Sequence, residues 1–203
     1  ARVSASSQHQ SCWGVRMKRI SGQQRLWFYR ILALIVTAIL VHILAVWAAP
    51  RLIMQVLMHG PMAQTLNMHN QAAFPPPVTA ASRTVVMPSP DLLYSVCVFD
   101  VAARPVRISA NPNLKSYWSI ALYAANSDNF FVINDRKSNG KPVDLWLVSG
   151  SGSRSKLPIP TGAQVVVSPS TTGFLLMRVL TGNYDAEKAV IEPARHTLTC
   201  TPA

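Results

Sequence analysis

The sequence predicts a mainly β protein, in which a single N-terminal transmembrane helix precedes a β-sandwich-like exported domain. Three observations predict it. Residues Ile31 to Ala49 (ILALIVTAILVHILAVWAA) form nineteen consecutive positions without a formal charge, interrupted only by Thr37 and His42. From Asp91 onward the apolar residues recur with period two, in short runs separated by Gly, Pro and Asn turns. Two cysteines, Cys97 and Cys200, stand near the two ends of that second region.

The apolar run is long enough, at about 1.5 Å per residue, for a hydrocarbon core of about 30 Å. Only a helix lets a lone segment satisfy its own backbone polar groups in lipid. Trp27, Phe28 and Tyr29 at one end and Trp47 near the other suit the headgroup region. Arg2, Arg16, Lys18, Arg19, Arg25 and Arg30 precede the run without an acid, whereas only Arg51 follows it before Arg83. That bias predicts a membrane protein with its N-terminus in the cytoplasm and everything after Pro50 exported. A cleaved signal peptide is the rival reading. The anchor is preferred because the run exceeds an ordinary signal h-region and Pro50 follows the candidate cleavage site at Ala48-Ala49.

The net charge of +11 is not a nucleic-acid signature. All eight acids lie at or beyond Asp91, where eleven Lys/Arg accompany them; before Asp91 there are eight Lys/Arg and no acid. The basicity is thus concentrated beside the span. Neither a basic stripe interleaved with aromatics nor zinc-finger spacing is present, so nucleic acid is excluded as a partner. Cys12 falls on the expected cytoplasmic side. Cys97 and Cys200 fall in the exported part, where a disulfide is permitted and would staple the domain; two buried free thiols are the alternative.

Along the chain, residues 1–24 read as a polar cytoplasmic segment and residues 25–60 as the transmembrane helix with a juxtamembrane extension stopped at Gly60-Pro61. Residues 61–90 carry six prolines and read as an arm. Its polyproline stretch Phe74–Val78 is a stiff spacer that lifts the domain or lies on a neighbour. Residues 91–203 read as the periplasmic β-sandwich. Strands are expected at 94–100, 105–110, 117–123, 129–134, 143–148, 164–168 and 173–180. A hairpin connection is expected at 102–105, a tight turn at Ser138–Gly140 and a flexible loop at Ser149–Ser153. A short helix is expected at 184–191, stopped by Pro193, before a C-terminal tail.

The segments Tyr94–Asp100 (YSVCVFD), Arg104–Arg107 (RPVR), Tyr117–Tyr123 (YWSIALY), Asn129–Arg136 (NFFVINDR) and Asp144–Val148 (DLWLV) follow one another in a familiar order. Together they resemble a bacterial family catalogued as domain of unknown function 1254, and more closely its short membrane-anchored members. The likeness covers roughly residues 30–200, including His42–Val46 and Pro50-Arg51. It implies a β-rich sandwich. Larger relatives fuse this module to a second, C-terminal one, so the resemblance implies that any such module comes from a separate chain. It brings no reaction and no catalytic residues.

His42 lies near the middle of the span, with Ala38 one turn earlier on the same face. This Ala-x-x-x-His pattern resembles the pigment-ligating helices of bacterial light-harvesting polypeptides, which implies bacteriochlorophyll or haem as a ligand of His42. An interhelical hydrogen bond is the plainer use of a neutral imidazole. Met54, Met58, His59, Met62, Met68 and His69 cluster after the span; thioethers and imidazoles suit copper, and methionine equally serves as an adaptable apolar filler. Asp100, Asp135, Arg136 and Asp144 fall near strand ends and read as a site or as ordinary ion pairs. His196 is the only histidine beyond residue 69, and no nucleophile-elbow pattern accompanies it. The expectation is therefore a protein that is not an enzyme. It is read as an accessory or scaffold subunit in the lipid bilayer that docks on another membrane protein, with a photosynthetic or respiratory complex as host. The alternatives are a periplasmic module binding a small ligand or copper, and half of a split enzyme completed by a separate second-module protein.

Overall fold

A computed structural model describes residues 21–79, 81–82, 88–150 and 159–203. The expectations for residues 1–20, including Cys12, for Arg83 and for the 151–153 part of the Ser/Gly loop lie outside the described residues. The chain forms two units, one ending at Ala45 and the other running from Val46 to Ala203. In chain order the elements are α1 (Gly22–His59), α2 (Pro61–Thr65), β1 (Leu92–Asp100), β2 (Val106–Ala110), β3 (Trp118–Ala124) and β4 (Asn129–Asn134). There follow α3 (Asp135–Ser138), β5 (Val143–Ser149), β6 (Gln164–Ser168), β7 (Thr172–Leu180), α4 (Tyr184–Arg195) and β8 (Thr199–Pro202).

In the first unit, α1 starts at a reciprocal cap. The Gln24 N–H donates to Ser21 Oγ at 3.3 Å and the Ser21 N–H donates to Gln24 Oε1 at 3.0 Å. This Ser-x-x-Gln box moves the helix start three residues ahead of the expected position. The helix is long and apolar enough to cross a membrane, with a window of mean hydropathy 2.7. Its side chains from Gly22 to Ala45 are exposed in the isolated chain.

In the second unit, α1 continues through Pro50. The Arg51 guanidinium donates to the Trp47 carbonyl at 2.6 Å and lies 4.3 Å from the Trp47 ring centroid. The helix ends at Gly60, where a Cβ would strike the Val56 carbonyl oxygen. Two four-stranded sheets follow. One has the order β1-β7-β3-β4 and is antiparallel throughout; the other has the order β6-β5-β2-β8, with β6 parallel to β5. Their facing sides form the main core. Leu93, Cys97, Phe99, Ile120, Leu122, Leu175 and Met177 of the first sheet share it with Ile108, Leu145, Leu147 and Cys200 of the second. The sandwich expected from the alternating pattern is thus present. The Cys97–Cys200 disulfide joins β1 to β8, hence one sheet to the other, over a Cα separation of 6.6 Å and 103 residues of sequence.

The structure departs from the sequence reading in five places. Residues 102–105 do not close a hairpin, because β1 pairs with β7 and β2 with β5 and β8; the connection crosses from one sheet to the other. Helix α4 runs four residues past 191, through Pro193. The proline forfeits one backbone bond, and side-chain bonds among Tyr184, Glu192 and Arg195 hold the turn. The C-terminal tail is strand β8, paired to β2. The stretch before the 138–140 turn is helical turn α3, capped by Asn134 Oδ1 accepting from the Lys137 N–H at 2.9 Å.

The fifth departure concerns the arm. Its described residues up to Val78 fold onto their own domain. Ala73 and Val96 exchange backbone bonds of 2.8 and 2.9 Å, the Val98 N–H donates to the Met68 carbonyl at 2.9 Å, and the Asn70 N–H donates to the Val98 carbonyl at 2.8 Å. Residues 68–73 thereby occupy the edge that β1 would otherwise leave open. The Phe74 ring stacks on His196 at 4.0 Å, and Arg195 Nη1 donates to the Pro75 carbonyl at 3.0 Å. The prolines preset an extended backbone, but docking to α4 decides where it goes.

Two changes test this architecture. Removing the disulfide with paired Cys97→Ser and Cys200→Ser is expected to cost up to about 4.7 kcal/mol. Urea unfolding of the full chain in mild detergent, with and without the bridge, measures it, and equal midpoints would refute the staple. Gly173 sits opposite Phe99 in the β1–β7 register, and a Cβ there would meet the Phe99 ring and the Tyr123 carbonyl. Gly173→Ala is therefore expected to destabilise by about 1–3 kcal/mol through overpacking, read as a lowered midpoint in the same assay.

Candidate functional site

The residues singled out after the apolar run meet in a third layer on the outer face of the first sheet. Met54, Met58 and Met68 are buried with Ala63 and Ala73 against Val96, Val98 and Phe174. Met54 and Met58 lie one turn apart on α1, and Met68 arrives from the segment that pairs with β1. Met62 is half-buried beside them, while His59 and His69 are exposed, their rings stacked at 5.8 Å. The three buried thioethers act here as flexible apolar filler between a helix and a sheet. On α1 itself, Ala38 and His42 are exposed, and His42 makes no hydrogen bond to any described residue.

The four charged residues noted near strand ends do not converge. Asp144 on β5 receives two hydrogen bonds from Arg107 on β2, at 2.9 and 2.7 Å. That bond from Arg107 holds the Asp144 carboxyl below its ordinary range and the guanidinium above its own. Both groups are half-exposed, so the pair contributes little to stability. The Asp100 Oδ1 accepts from the Ala102 N–H at 2.8 Å and shapes the turn that leaves β1. Arg136 joins none of them.

A charged cluster that the sequence reading missed lies at the end of α4. Arg195 is almost fully buried. Its Nε donates to Glu192 at 2.7 Å, and its Nη1 donates to the carbonyls of Pro75 and Tyr94, both at 3.0 Å. The Tyr184 hydroxyl donates to the other Glu192 oxygen at 2.9 Å. Burial pushes the Glu192 carboxyl up, but the bonds from Arg195 and Tyr184 outweigh it and the net displacement is downward. Donating to Glu192 raises the Tyr184 hydroxyl above its usual value. The spacing from Tyr184 to Glu192 to Arg195 places all three on one helical face, a signal that was present in the sequence. Its role is structural: it ties the polyproline stretch, β1 and α4 together.

A small polar cavity lies at the end of β4. It measures about 230 Å³ and is lined by Asn111, Asn113, Leu114, Trp118, Asp135 and Lys141, among others. Two turns shape it: Asn113 in one, and Asn139 with Gly140 in the other, adopt left-handed backbone with φ of 43°, 50° and 73°. Ser138 Oγ donates to the Asp135 carbonyl, and the Lys141 N–H to the Ser138 carbonyl, both at 2.9 Å. Asp135 Oδ1 is buried without a hydrogen-bond partner. Among the described residues no group of three or more His, Cys, Asp or Glu is arranged to hold a metal ion. The Asn-Pro-Asn loop at 111–113 announced a turn, but nothing local said that it would face Asp135.

Residues 68–202 match the family described as "Protein of unknown function (DUF1254)". The chain belongs to this family. No curated protein matches it. Two solved structures resemble this DUF1254 protein. The VPA0106 protein from Vibrio parahaemolyticus has a TM-score of 0.60 at 16% identity, over 78% of this chain and 36% of that one. A putative uncharacterized protein from Burkholderia cenocepacia has a TM-score of 0.43 at 14% identity, over 77% of this chain and 40% of that one. The first supports the β-sandwich fold of the DUF1254 domain. The match spans well under half the length of either solved protein.

The Glu192 network makes the DUF1254 domain acid-sensitive. A carboxyl whose folded pKa is lowered adds stability above its unfolded value, and that stability is lost as pH falls through the folded value. The urea midpoint is expected to hold from neutrality to about pH 5 and to drop below about pH 4. Glu192→Gln should lower the neutral midpoint and flatten that drop. An unchanged acid limb would show that other carboxylates govern it.

Proposed function

We propose that this chain is a non-catalytic accessory subunit of a larger bacterial inner-membrane complex, anchored by α1 with its N-terminus in the cytoplasm and its sandwich in the periplasm. The observation that carries the proposal is His42. In a span with no other ionisable group, its imidazole has no partner among the described residues. A polar group in hydrocarbon without a hydrogen bond is costly, and a neighbouring helix or a cofactor is what removes the cost. Ala38, one turn away on the same face, leaves room for the neighbour to approach. Past the span, Leu52, Ile53 and Val56 stay exposed while Met54 and Met58 bury themselves in the domain. The occupant that fits His42 is a transmembrane helix of a larger membrane protein. The disulfide supports an exported sandwich, since such bonds persist in oxidising compartments. Photosynthetic and respiratory assemblies are the hosts in which a histidine at this depth would bind bacteriochlorophyll or haem.

The test is to solubilise native membranes in mild detergent, recover the chain, and examine what accompanies it by mass spectrometry and absorption. Stoichiometric recovery of a large complex, lost on His42→Leu while the variant remains in the membrane, is the expected result. Recovery of the chain alone, or with only a small second-module protein, would overturn the proposal.

A further inference from the structure

We propose that β4 is a pairing edge at which two copies of this chain join, β4 against β4, about a two-fold axis beside Val132. The inference is independent of the host on which α1 docks and rests on the two edges of the first sheet. The β1 edge is occupied by residues 68–73. The other edge is β4, whose only strand partner among the described residues is β3. Its sequence Asn129–Asn134 (NFFVIN) carries neither a charge nor a proline, two of the devices that keep an edge single.

The phase of the backbone bonds shows what this edge offers. The Leu180 N–H donates to the Tyr117 carbonyl and the Ala124 N–H to the Asp128 carbonyl, both at 2.9 Å. By the antiparallel alternation, Ile120 and Leu122 then bond to Ile133 and Phe131, and the N–H and C=O of Val132 point away from β3. Out there the Val132 carbonyl receives a long bond from the Lys137 ammonium, at 3.5 Å. The core is open at the same edge. Phe130, Phe131 and Ile133 pack against it but are only half-buried, and Val132 is 38% exposed.

Charge selects both the occupant and the register. Arg136 lies four residues after Val132 and Asp128 four residues before it. Both are exposed, and neither forms an ion pair with a described residue. In an antiparallel pair with Val132 opposite its own copy, Arg136 of each chain comes beside Asp128 of the other, so one attraction is made twice. The Val132 N–H and C=O exchange bonds with those of the second copy, which replace the long Lys137 contact. A pair centred on Phe131 would instead set Arg136 against Asn126 and lose both attractions.

The experiment is sedimentation equilibrium of the full chain in mild, density-matched detergent, where a monomer–dimer equilibrium is expected. Val132→Pro removes the outward N–H, which the chain itself does not use, and an edge strand tolerates proline at such a position. The variant should keep its urea midpoint and weaken the dimer at least about tenfold. Asp128→Lys and Arg136→Glu should each weaken it about fivefold or more, because each brings like charges together twice, and the double variant should return to within about twofold of the parent. Both positions lie outside the strand, so they decide the matter if Val132→Pro lowers the midpoint. The assignment is overturned by a monomer at every concentration, by a dimer that folded Val132→Pro does not weaken, or by a double charge variant no tighter than the single ones. Each of these results would leave the His42 proposal untouched, since recovery of a host complex reads a different surface.

Discussion

The structure depends on the need to cover both faces of one sheet. Strand β1 is buried almost without interruption: Leu93, Cys97 and Phe99 point to one side, Val96 and Val98 to the other. Its partner β7 does the same with Leu175 and Met177 against Phe174. A sheet that is apolar on both faces cannot leave either to water without forfeiting roughly 25 cal/mol per Å² of exposed apolar surface. The second sheet covers one side. The end of α1, α2 and residues 68–73 cover the other, so elements that read as linker by composition are part of the core. Unbranched methionines suit that layer because they adapt to the irregular gap between a helix and a twisted sheet.

The same logic explains the buried charge. Once the polyproline stretch is laid beside β1 and α4, the carbonyls of Pro75 and Tyr94 require donors. Arg195 supplies two of them from one guanidinium. Glu192 and Tyr184 then make the buried cation tolerable. Removing one member would leave another buried and unpaired, which is where such networks are most costly. With the Cys97–Cys200 bridge joining the sheets, these contacts hold segments that lie far apart in the chain and whose local propensities are weak.

The docking proposal rests on a general rule of protein interiors. Polar groups in well-built proteins are satisfied, and the exceptions need an account. Within the sandwich, the buried side-chain oxygens without a partner among the described residues are Ser95 Oγ and Asp135 Oδ1. His42 in the apolar span has no hydrogen-bond partner among the described residues either.

By itself, the sequence determined whatever depends on neighbours along the chain. The charge-free run, the period-two strands, the turns and the helix stop at Gly60 follow from residue spacing, and most strand positions agree within a residue or two. The disulfide was readable as a staple because two cysteines bracket one domain. Tertiary structure alone decided which strands meet. Whether residues 102–105 turn back or cross to the second sheet depends on partners about seventy residues away, β7 in one case and β8 nearly a hundred residues on in the other. Strand β8 and the edge-pairing segment at 68–73 carry little strand signal, because backbone bonds to an existing edge create them. The polyproline spacing predicted a stiff segment correctly in kind, but stiffness does not say where a segment docks. The cavity was invisible for the same reason. Asn111, Trp118, Asp135 and Lys141 are ordinary residues until the β2–β3 loop and the α3 turn are brought together, and long-range packing, not local spacing, does that.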